Sequence, residues 1–247
     1  MHFVGIDLTW SARNNSAAAA IEAEQGQGKL IDHKKQLEAD DEIIAFISKV
    51  SNDGPTIVGI DAPLIVPNTT RLRPCDRDVT REFGRYHAGA HSANRNLLKR
   101  DGKVRGEELV KRLRTIHFIH DYNIPRHSDT CRQVVEVYPH PATINLFKLK
   151  QVLKYKRGTM KDRQKELNKL QQYIASLKAA EPALHVHEQY FHDTTQLHGY
   201  HFKAHEDFLD AILCAYIVYH AWYWGEQGYE VFGGVEKGYI LVPKVPA

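Results

Sequence analysis

The chain has 247 residues, a formal charge of +3 and a pI near 8.6, so it can bury a sizeable core, and its mild basicity permits an anionic partner. Three widely separated cysteines without a CxxC pair argue against a disulfide framework and a cysteine zinc site, and favour a reducing cytoplasm. The chain has no run of about 18 apolar residues, so we expect no membrane-spanning segment.

The first quarter of the chain predicts a strand meander followed by a helix and another strand. Residues 2–7 are short and apolar enough for a buried strand, and residues 16–24 and 29–37 predict two more, although the alanines of the first would also suit a helix. Residues 39–50 predict a helix with acidic residues at its start. Residues 55–61 then predict a second buried strand.

The rest of the chain predicts mainly helices and two further strand regions. In chain order we expect two helices within the polar, basic residues 71–122, a strand at 132–139, a short helix from Pro141, a helix bearing the stripe Leu167, Leu170, Ile174 and Leu177, an apolar helix at 205–224, and a closing hairpin at 229–243. No linker or change of composition divides the chain, so we expect a single domain over residues 1–247. This order predicts an α/β fold with a mixed sheet and helices on both faces.

The tetrapeptide VGID occurs twice, at residues 4–7 and 58–61, and each copy ends an apolar run with an aspartate. If the two strands are parallel neighbours about 4.8 Å apart, Asp7 and Asp61 repel each other unless a cation lies between them or one is protonated. Hard divalent ions take oxygen ligands, so the motif predicts a site for Mg²⁺ or Mn²⁺. Each aspartate could instead start a loop or cap a helix.

A second acidic pair lies in the late helix. Asp207 and Asp210 are three residues apart, which places them on one face, and the small Ala211 and Ala215 would let this helix approach the sheet. Asp207, close to His205 and Glu206, is expected nearer solvent and could simply complement the helix dipole. Asp210 lies deeper in the apolar run and needs a partner.

Four motifs in order, VGIDLTWS, VGIDAPL, EVYPHPA and DFLDAILCA, resemble the domain-of-unknown-function family 429, whose members are regarded as predicted nucleases of the ribonuclease H-like superfold. The resemblance covers nearly the whole chain, including the YILVP tail. It implies a ribonuclease H-like mixed five-stranded sheet with a C-terminal hairpin. It also implies an acidic site like that of RuvC-type junction resolvases, which in this sequence would comprise Asp7, Asp61, Glu136, Asp207 and Asp210. Glu136 could also be a hydrogen-bonded carboxylate at a strand end.

Basic residues near these motifs predict contacts to a phosphate backbone. Lys99, Arg100 and Lys103 lie in a strongly basic stretch that could equally be a solvated helix face, and Tyr155 and Lys156 offer stacking and charge. The six histidines between residues 185 and 205 are expected to face solvent rather than to bind a metal.

The sequence therefore predicts a metal-dependent nuclease that acts on DNA or RNA. Asp7, Asp61 and Asp210 would hold the metal, with Glu136 and Asp207 assisting; a metal-polarised water would attack phosphorus while a second ion stabilises the leaving oxygen. Alternatives are a non-catalytic nucleic-acid-binding protein of the same fold and an ATP-dependent phosphotransferase, although DLTW lacks the glycine of a phosphate-binding turn. The choice between DNA and RNA, the mode of cleavage and the oligomeric state stay open.

Overall fold

The computed structural model describes residues 1–10 and 14–246. Its strands are β1 His2–Asp7, β2 Ser16–Glu24, β3 Gln27–Leu37, β4 Thr56–Ile60, β5 Ile119–His120, β6 Arg132–Glu136, β7 Ala183–His185, β8 Tyr229–Gly234 and β9 Gly238–Pro243. Its α-helices are α1 Asp40–Ser51, α2 Pro74–Phe83, α3 Arg95–Leu98, α4 Arg105–Thr115, α5 Pro139–Phe147, α6 Met160–Ser176 and α7 Gly199–Trp224. Among these helices none is both long and apolar enough to cross a membrane.

The main sheet is mixed, with the strand order β5-β6-β4-β1-β2-β3-β7. Strands β1, β2 and β3 form an antiparallel meander, and β4 and β6 extend the sheet from β1 as parallel neighbours. The α/β class, the mixed sheet and the C-terminal hairpin of β8 and β9 are confirmed. The number of strands differs from five, because β5 and β7 add one short strand at each edge.

These two edge strands escaped sequence reasoning because two or three residues are too few to show an alternating apolar pattern. Helix α5 begins at Pro139 rather than Pro141, since proline is tolerated in the first turn, where no intrahelical N–H is needed. Residues 71–122 contain the two expected helices, α2 and α4, and also the single turn α3.

Each face of the sheet is covered by helices, and the two-residue period of the strands decides which side chains meet them. On β1, Val4 and Ile6 pack in the core that α1 and α4 cover, whereas Phe3 packs in the core beneath α7. Alternation therefore turns Gly5 and Asp7 toward α7 as well. The same period turns Gly59 and Asp61 toward α7.

Candidate active site

Two strand ends and one helix bring four aspartates together. The N–H of Asp61 donates to the carbonyl of Ile6, so the residues that follow β4 run beside the end of β1. Asp7, Asp207 and Asp210 are buried, and Asp210 is completely inaccessible. The charges of Asp7, Asp61 and Asp210 interact with one another, and that of Asp207 interacts with Asp7. The expected gathering of Asp7, Asp61, Asp207 and Asp210 therefore occurs.

Close approach of α7 to the sheet is what completes this cluster. A Cβ atom placed on Gly5 would lie 2.0 Å from the carbonyl oxygen of Ala211, and one on Gly59 would lie 2.6 Å from that of Cys214. Glycine in both strands thus lets the backbone of α7 lie directly on the sheet. The small helix residues were expected to permit this approach, but the contribution of the two VGID glycines was missed.

Burial and mutual repulsion disfavour ionisation of the strand-end aspartates. Burial raises the pKa of Asp7, a rise that Lys156 opposes and Asp210 reinforces. Burial and the charge of Asp7 hold the pKa of Asp61 well above its ordinary value. The site therefore has a deficit of positive charge, and additional cations would stabilise its ionised form.

Asp207 is 5% exposed and Asp210 0%, so Asp207 lies nearer solvent as expected, but it is buried rather than exposed. Its neighbours His205 and Glu206 are also buried, because the start of α7 is covered by α6 and the segment before α7. Burial and the charge of Asp7 raise the pKa of Asp207 to about 8, although Lys203 opposes the rise, and the carboxyl of Asp207 lies within hydrogen-bond distance of Asp7. Two carboxyl groups in contact can be accommodated when one of them keeps its proton.

Asp210 is fixed by two consecutive residues of the segment before α6. The hydroxyl of Tyr155 donates to Oδ1 of Asp210 over 2.7 Å, and the ammonium of Lys156 lies 2.7 Å from Oδ2. Burial opposes the charge on Lys156, but Asp210 and Asp7 outweigh it and hold the pKa of this lysine well above its usual value. A second ammonium, that of Lys203, contacts Asp207 and lies 3.1 Å from Glu206.

Tyr155 is therefore not available to stack on a base, contrary to expectation. It is 1% exposed, and its ring stacks on that of His140 with the centroids 5.9 Å apart. The buried hydroxyl needs a hydrogen-bond partner, and Asp210 provides it. Lys156 stays partly exposed, with about 33% of its side chain accessible.

Glu136 lies beside the cluster but is held by other groups. In the ladder Glu136 pairs with Ile60 rather than with Asp61, so alternation turns its side chain toward the opposite face. There Arg73 donates to both carboxylate oxygens, at 2.6 and 2.9 Å, and the N–H of Leu64 donates to Oε2 over 2.8 Å. Burial raises the pKa of Glu136 although Arg73 opposes the rise. The alternative of a hydrogen-bonded strand-end carboxylate describes it best.

The basic turn, defined as residues 99–103, is exposed beside the strand ends. Arg100 and Lys103 close it through two backbone hydrogen bonds. Leu98 and Val104, which flank it, line one small cavity together with Leu8 and Ala62, which follow β1 and β4. Several other cations of the wider stretch are paired with carboxylates, for example Arg95 with Glu107. Lys103 also lies 3.8 Å from Glu108, but Lys99, Arg100 and Lys103 are all exposed and remain the candidates for contacts with a phosphate backbone.

A family model described as "Protein of unknown function (DUF429)" matches residues 5–236. The chain belongs to the DUF429 family. Neither the curated proteins nor the solved structures gave a match. The family therefore supports the resemblance found in the sequence, and its description assigns no activity.

The charge and donor chemistry of this DUF429 site fit a hard divalent cation. All the candidate ligands are carboxylate oxygens, the kind that Mg²⁺ and Mn²⁺ prefer. In the described part of the chain, however, no three histidine, cysteine or acidic side chains converge at ligand distance. Lys156 and Lys203 provide positive charge to Asp210 and Asp207 instead. An ion at Asp210 would therefore have to displace Lys156.

Trp10, Arg73 and Lys203 belong to the site but were not predicted from the sequence. Trp10 is 40% exposed and lines a small cavity together with Asp61 and Arg73, so an aromatic ring accompanies the carboxylates. Its position three residues after Asp7 is the signal that could have found it. Arg73 gave no such signal, because only the folded structure brings it to Glu136, 63 residues away.

Most of the histidines between residues 185 and 205 are exposed as expected, but His205 is buried. Its Nε2 lies 2.6 Å from Oε1 of Gln171 on α6. Its buried Nδ1 has no hydrogen-bond partner among the described residues, so the contact with Gln171 ties α7 to α6 through one ring nitrogen alone.

Proposed function

We propose that this protein is a metal-dependent nuclease that hydrolyses phosphodiester bonds of DNA or RNA, most naturally in the cytoplasm. The observation that carries the proposal is the convergence of Asp7, Asp61, Asp207 and Asp210 in a site short of positive charge. Phosphodiester cleavage by carboxylate-held cations uses this type of donor set. The resemblance to predicted ribonuclease H-like nucleases agrees with it.

Asp7, Asp61 and Asp210 would hold Mg²⁺ or Mn²⁺, with Asp207 assisting. When bound, the ion would supply a Lewis acid that activates water and neutralises charge on the phosphoryl group. Tyr155 keeps Asp210 oriented through its hydrogen bond. Glu136, held by Arg73, acts in this proposal by positioning the end of β6 rather than as a ligand.

Outside the carboxylates, the chain offers groups that can bind the substrate. Lys99, Arg100 and Lys103 can contact phosphates beside the strand ends, and Lys156 can do so from within the site. Trp10 offers an exposed ring for base stacking near Asp61. In this arrangement the cations orient the strand while the carboxylates face the scissile phosphate.

A second candidate function is a nucleic-acid-binding protein without catalysis. The observation that favours it is the ion pair of Lys156 with Asp210, since an internal ammonium could permanently replace the metal. The basic turn would serve both candidates equally. Only turnover separates them.

The test is cleavage of end-labelled single-stranded and branched DNA and RNA with Mg²⁺, with Mn²⁺ and with chelator. We compare the parent protein with Asp210→Asn and with Asp129→Asn, which removes an exposed carboxylate elsewhere. Metal-dependent cleavage that Asp129→Asn keeps and Asp210→Asn loses supports the nuclease. Binding without turnover at any divalent metal supports the second candidate. Equal cleavage by both variants places the activity outside this site.

A further inference from the structure

A cavity of about 640 Å³ opens next to the carboxylate cluster. Its walls are residues 87–91 and 152–158, which are tied together by the hydrogen bond from the N–H of Val152 to the carbonyl of Tyr86. Tyr138 and His140, at the start of α5, also line it. Cavities of roughly 300–1,000 Å³ are the size that encloses a single small ligand.

The charged lining of this cavity is entirely basic. Lys154, Lys156 and Arg157 lie along one wall. The other titratable residues that line the cavity are His87, His91, His140 and Tyr138. Among the described residues that line the cavity none is acidic. Lys154 and Arg157 are exposed and form no ion pair with any described carboxylate, so their charge is free for a ligand.

The cavity also has an apolar surface, which a site for a simple anion would not need. Tyr138, Val152 and Leu153 give it an apolar surface, larger than a phosphate group needs. His140 lines the cavity, and its buried Nδ1 has no hydrogen-bond partner in the described part of the chain. A ligand that combines a phosphate with a flat, partly apolar ring system would match both halves of this lining.

Lys156 connects this cavity with the candidate active site. Its side chain lines the cavity, while its ammonium lies 2.7 Å from Oδ2 of Asp210. A phosphate bound along the wall of Lys154 and Arg157 would therefore lie near the carboxylates. The cavity is too small for a duplex, but one nucleotide of a single strand falls in its size range.

We propose that this cavity binds one terminal, phosphate-bearing nucleotide of a single-stranded nucleic acid, with the phosphate on Lys154 and Arg157 and the base against Tyr138 and Val152. The assignment of this nucleotide to a substrate rests on the proposed function. Binding of the nucleotide itself does not, because it requires neither metal nor turnover.

The test measures binding calorimetrically in chelator and at low salt, where surface charge is least screened. The probes are adenosine 5′-monophosphate, inorganic phosphate, adenosine, and a short single-stranded oligonucleotide with a 5′-phosphate or a 5′-hydroxyl. The variant Lys154→Gln/Arg157→Gln is compared with Lys150→Gln/Lys161→Gln. The second pair removes the same charge from exposed positions just outside the 152–158 wall.

We expect the monophosphate to bind more tightly than phosphate or adenosine. The cavity variant should weaken it at least about tenfold, since each lost charged hydrogen bond has roughly that effect. The control pair should change it less than about threefold. A 5′-phosphorylated oligonucleotide that binds at least as well as the monophosphate identifies a strand end as the ligand, and an oligonucleotide that binds worse identifies the free nucleotide, which overturns the strand-end assignment.

Two results overturn the proposal altogether. Equal weakening by the cavity and control pairs would mean general attraction to a basic surface, and inorganic phosphate binding as tightly as the monophosphate would mean an anion site without a base pocket. Asp210→Asn should still bind the monophosphate. If the parent protein binds the monophosphate but cleaves no substrate at any divalent metal, the nuclease proposal fails while the nucleotide site stands. If the parent cleaves substrate and the cavity variant changes neither cleavage nor monophosphate binding, the nucleotide site fails while the nuclease proposal stands.

Discussion

Gly5 of β1 and Gly59 of β4 lie opposite each other in the parallel ladder, and α7 crosses directly over both. Each is followed two residues later by an aspartate on the same face. The repeated VGID motif therefore has two linked purposes. Its glycine lets α7 pack closely on the sheet, and its aspartate lies beside Asp210, which α7 carries.

The first prediction concerns this contact. Gly5→Ala should destabilise the protein by about 1–3 kcal/mol or more, because the new Cβ meets the backbone of Ala211 and Ala215, which cannot rotate away. Gly234→Ala is the control, since a Cβ there has nothing within 4 Å, and it should change stability by less than about 0.5 kcal/mol. Urea unfolding measures both. Similar losses for the two variants would show that α7 does not require glycine in β1.

The sequence predicts the structure correctly where a local pattern of residues determines a local environment. The apolar runs ending in Asp7 and Asp61 are buried parallel neighbours as expected, and the stripe from Leu167 to Leu177 faces the core. The spacing of Asp207 and Asp210 placed them correctly on one face of α7. These inferences use only strand alternation and helix periodicity.

What sequence reasoning missed depends on contacts between distant segments. The burial of Asp207 is set by the packing of α6, and the hydroxyl of Tyr155 is buried because it reaches Asp210, 55 residues later. The role of Glu136 depends on a register difference of one residue between β4 and β6, which no pattern within either strand reveals.

The second prediction concerns the buried triad of Arg73, Asp76 and Glu136. Arg73→Met should destabilise the protein by about 3–5 kcal/mol, because it leaves two buried carboxylates without their cation. Arg81→Met is the matched control: its ion pair with Asp78 is exposed and should contribute less than about 1 kcal/mol. Denaturant unfolding at pH 7 compares them. A small loss for Arg73→Met would mean that the triad does not hold β6 in place.

The third prediction is a pH dependence of stability. In the folded protein the pKa of Asp207 is about 8, against an ordinary value of 3.8, so between these values the folded state binds more protons than the unfolded state. The metal-free protein should therefore lose stability as the pH rises from about 4 to about 8. Asp207→Asn should flatten part of this decline, and Asp129→Asn should leave it unchanged. Thermal unfolding in chelator across that range gives the slopes, and identical slopes in all three proteins would refute it.

The fourth prediction concerns the basic turn. Neutralising Lys99, Arg100 and Lys103 to glutamine should weaken nucleic-acid binding and reduce the slope of log K against log salt by roughly 0.7–0.9 for each lost phosphate contact. Lys111→Gln is a useful comparison, because the ammonium of Lys111 lies 2.6 Å from Glu108, closer than the 3.8 Å of Lys103. Titrations at several salt concentrations measure the slopes. An unchanged slope in the triple variant would make this turn an ordinary solvated surface.

The last prediction tests whether a metal and Lys156 compete for Asp210. Lys156→Met should destabilise the metal-free protein by about 1–3 kcal/mol, because the buried carboxylate then keeps only the hydrogen bond of Tyr155. Mn²⁺ at a hundred times its dissociation constant should stabilise the folded protein by about 2.7 kcal/mol, and the variant should reach this gain at a lower concentration than the parent, since no ammonium has to be displaced.

Thermal unfolding against Mn²⁺ concentration measures the competition without any need for activity. Lys161→Met, which removes an exposed ammonium from the start of α6, should follow the parent curve. Asp210→Asn should lose most of the response, because it removes the carboxylate for which both cations compete. If the Lys156→Met curve coincides with that of the parent, the ion binds away from Asp210, and the carboxylate cluster that unites β1, β4 and α7 is held together by its lysines alone.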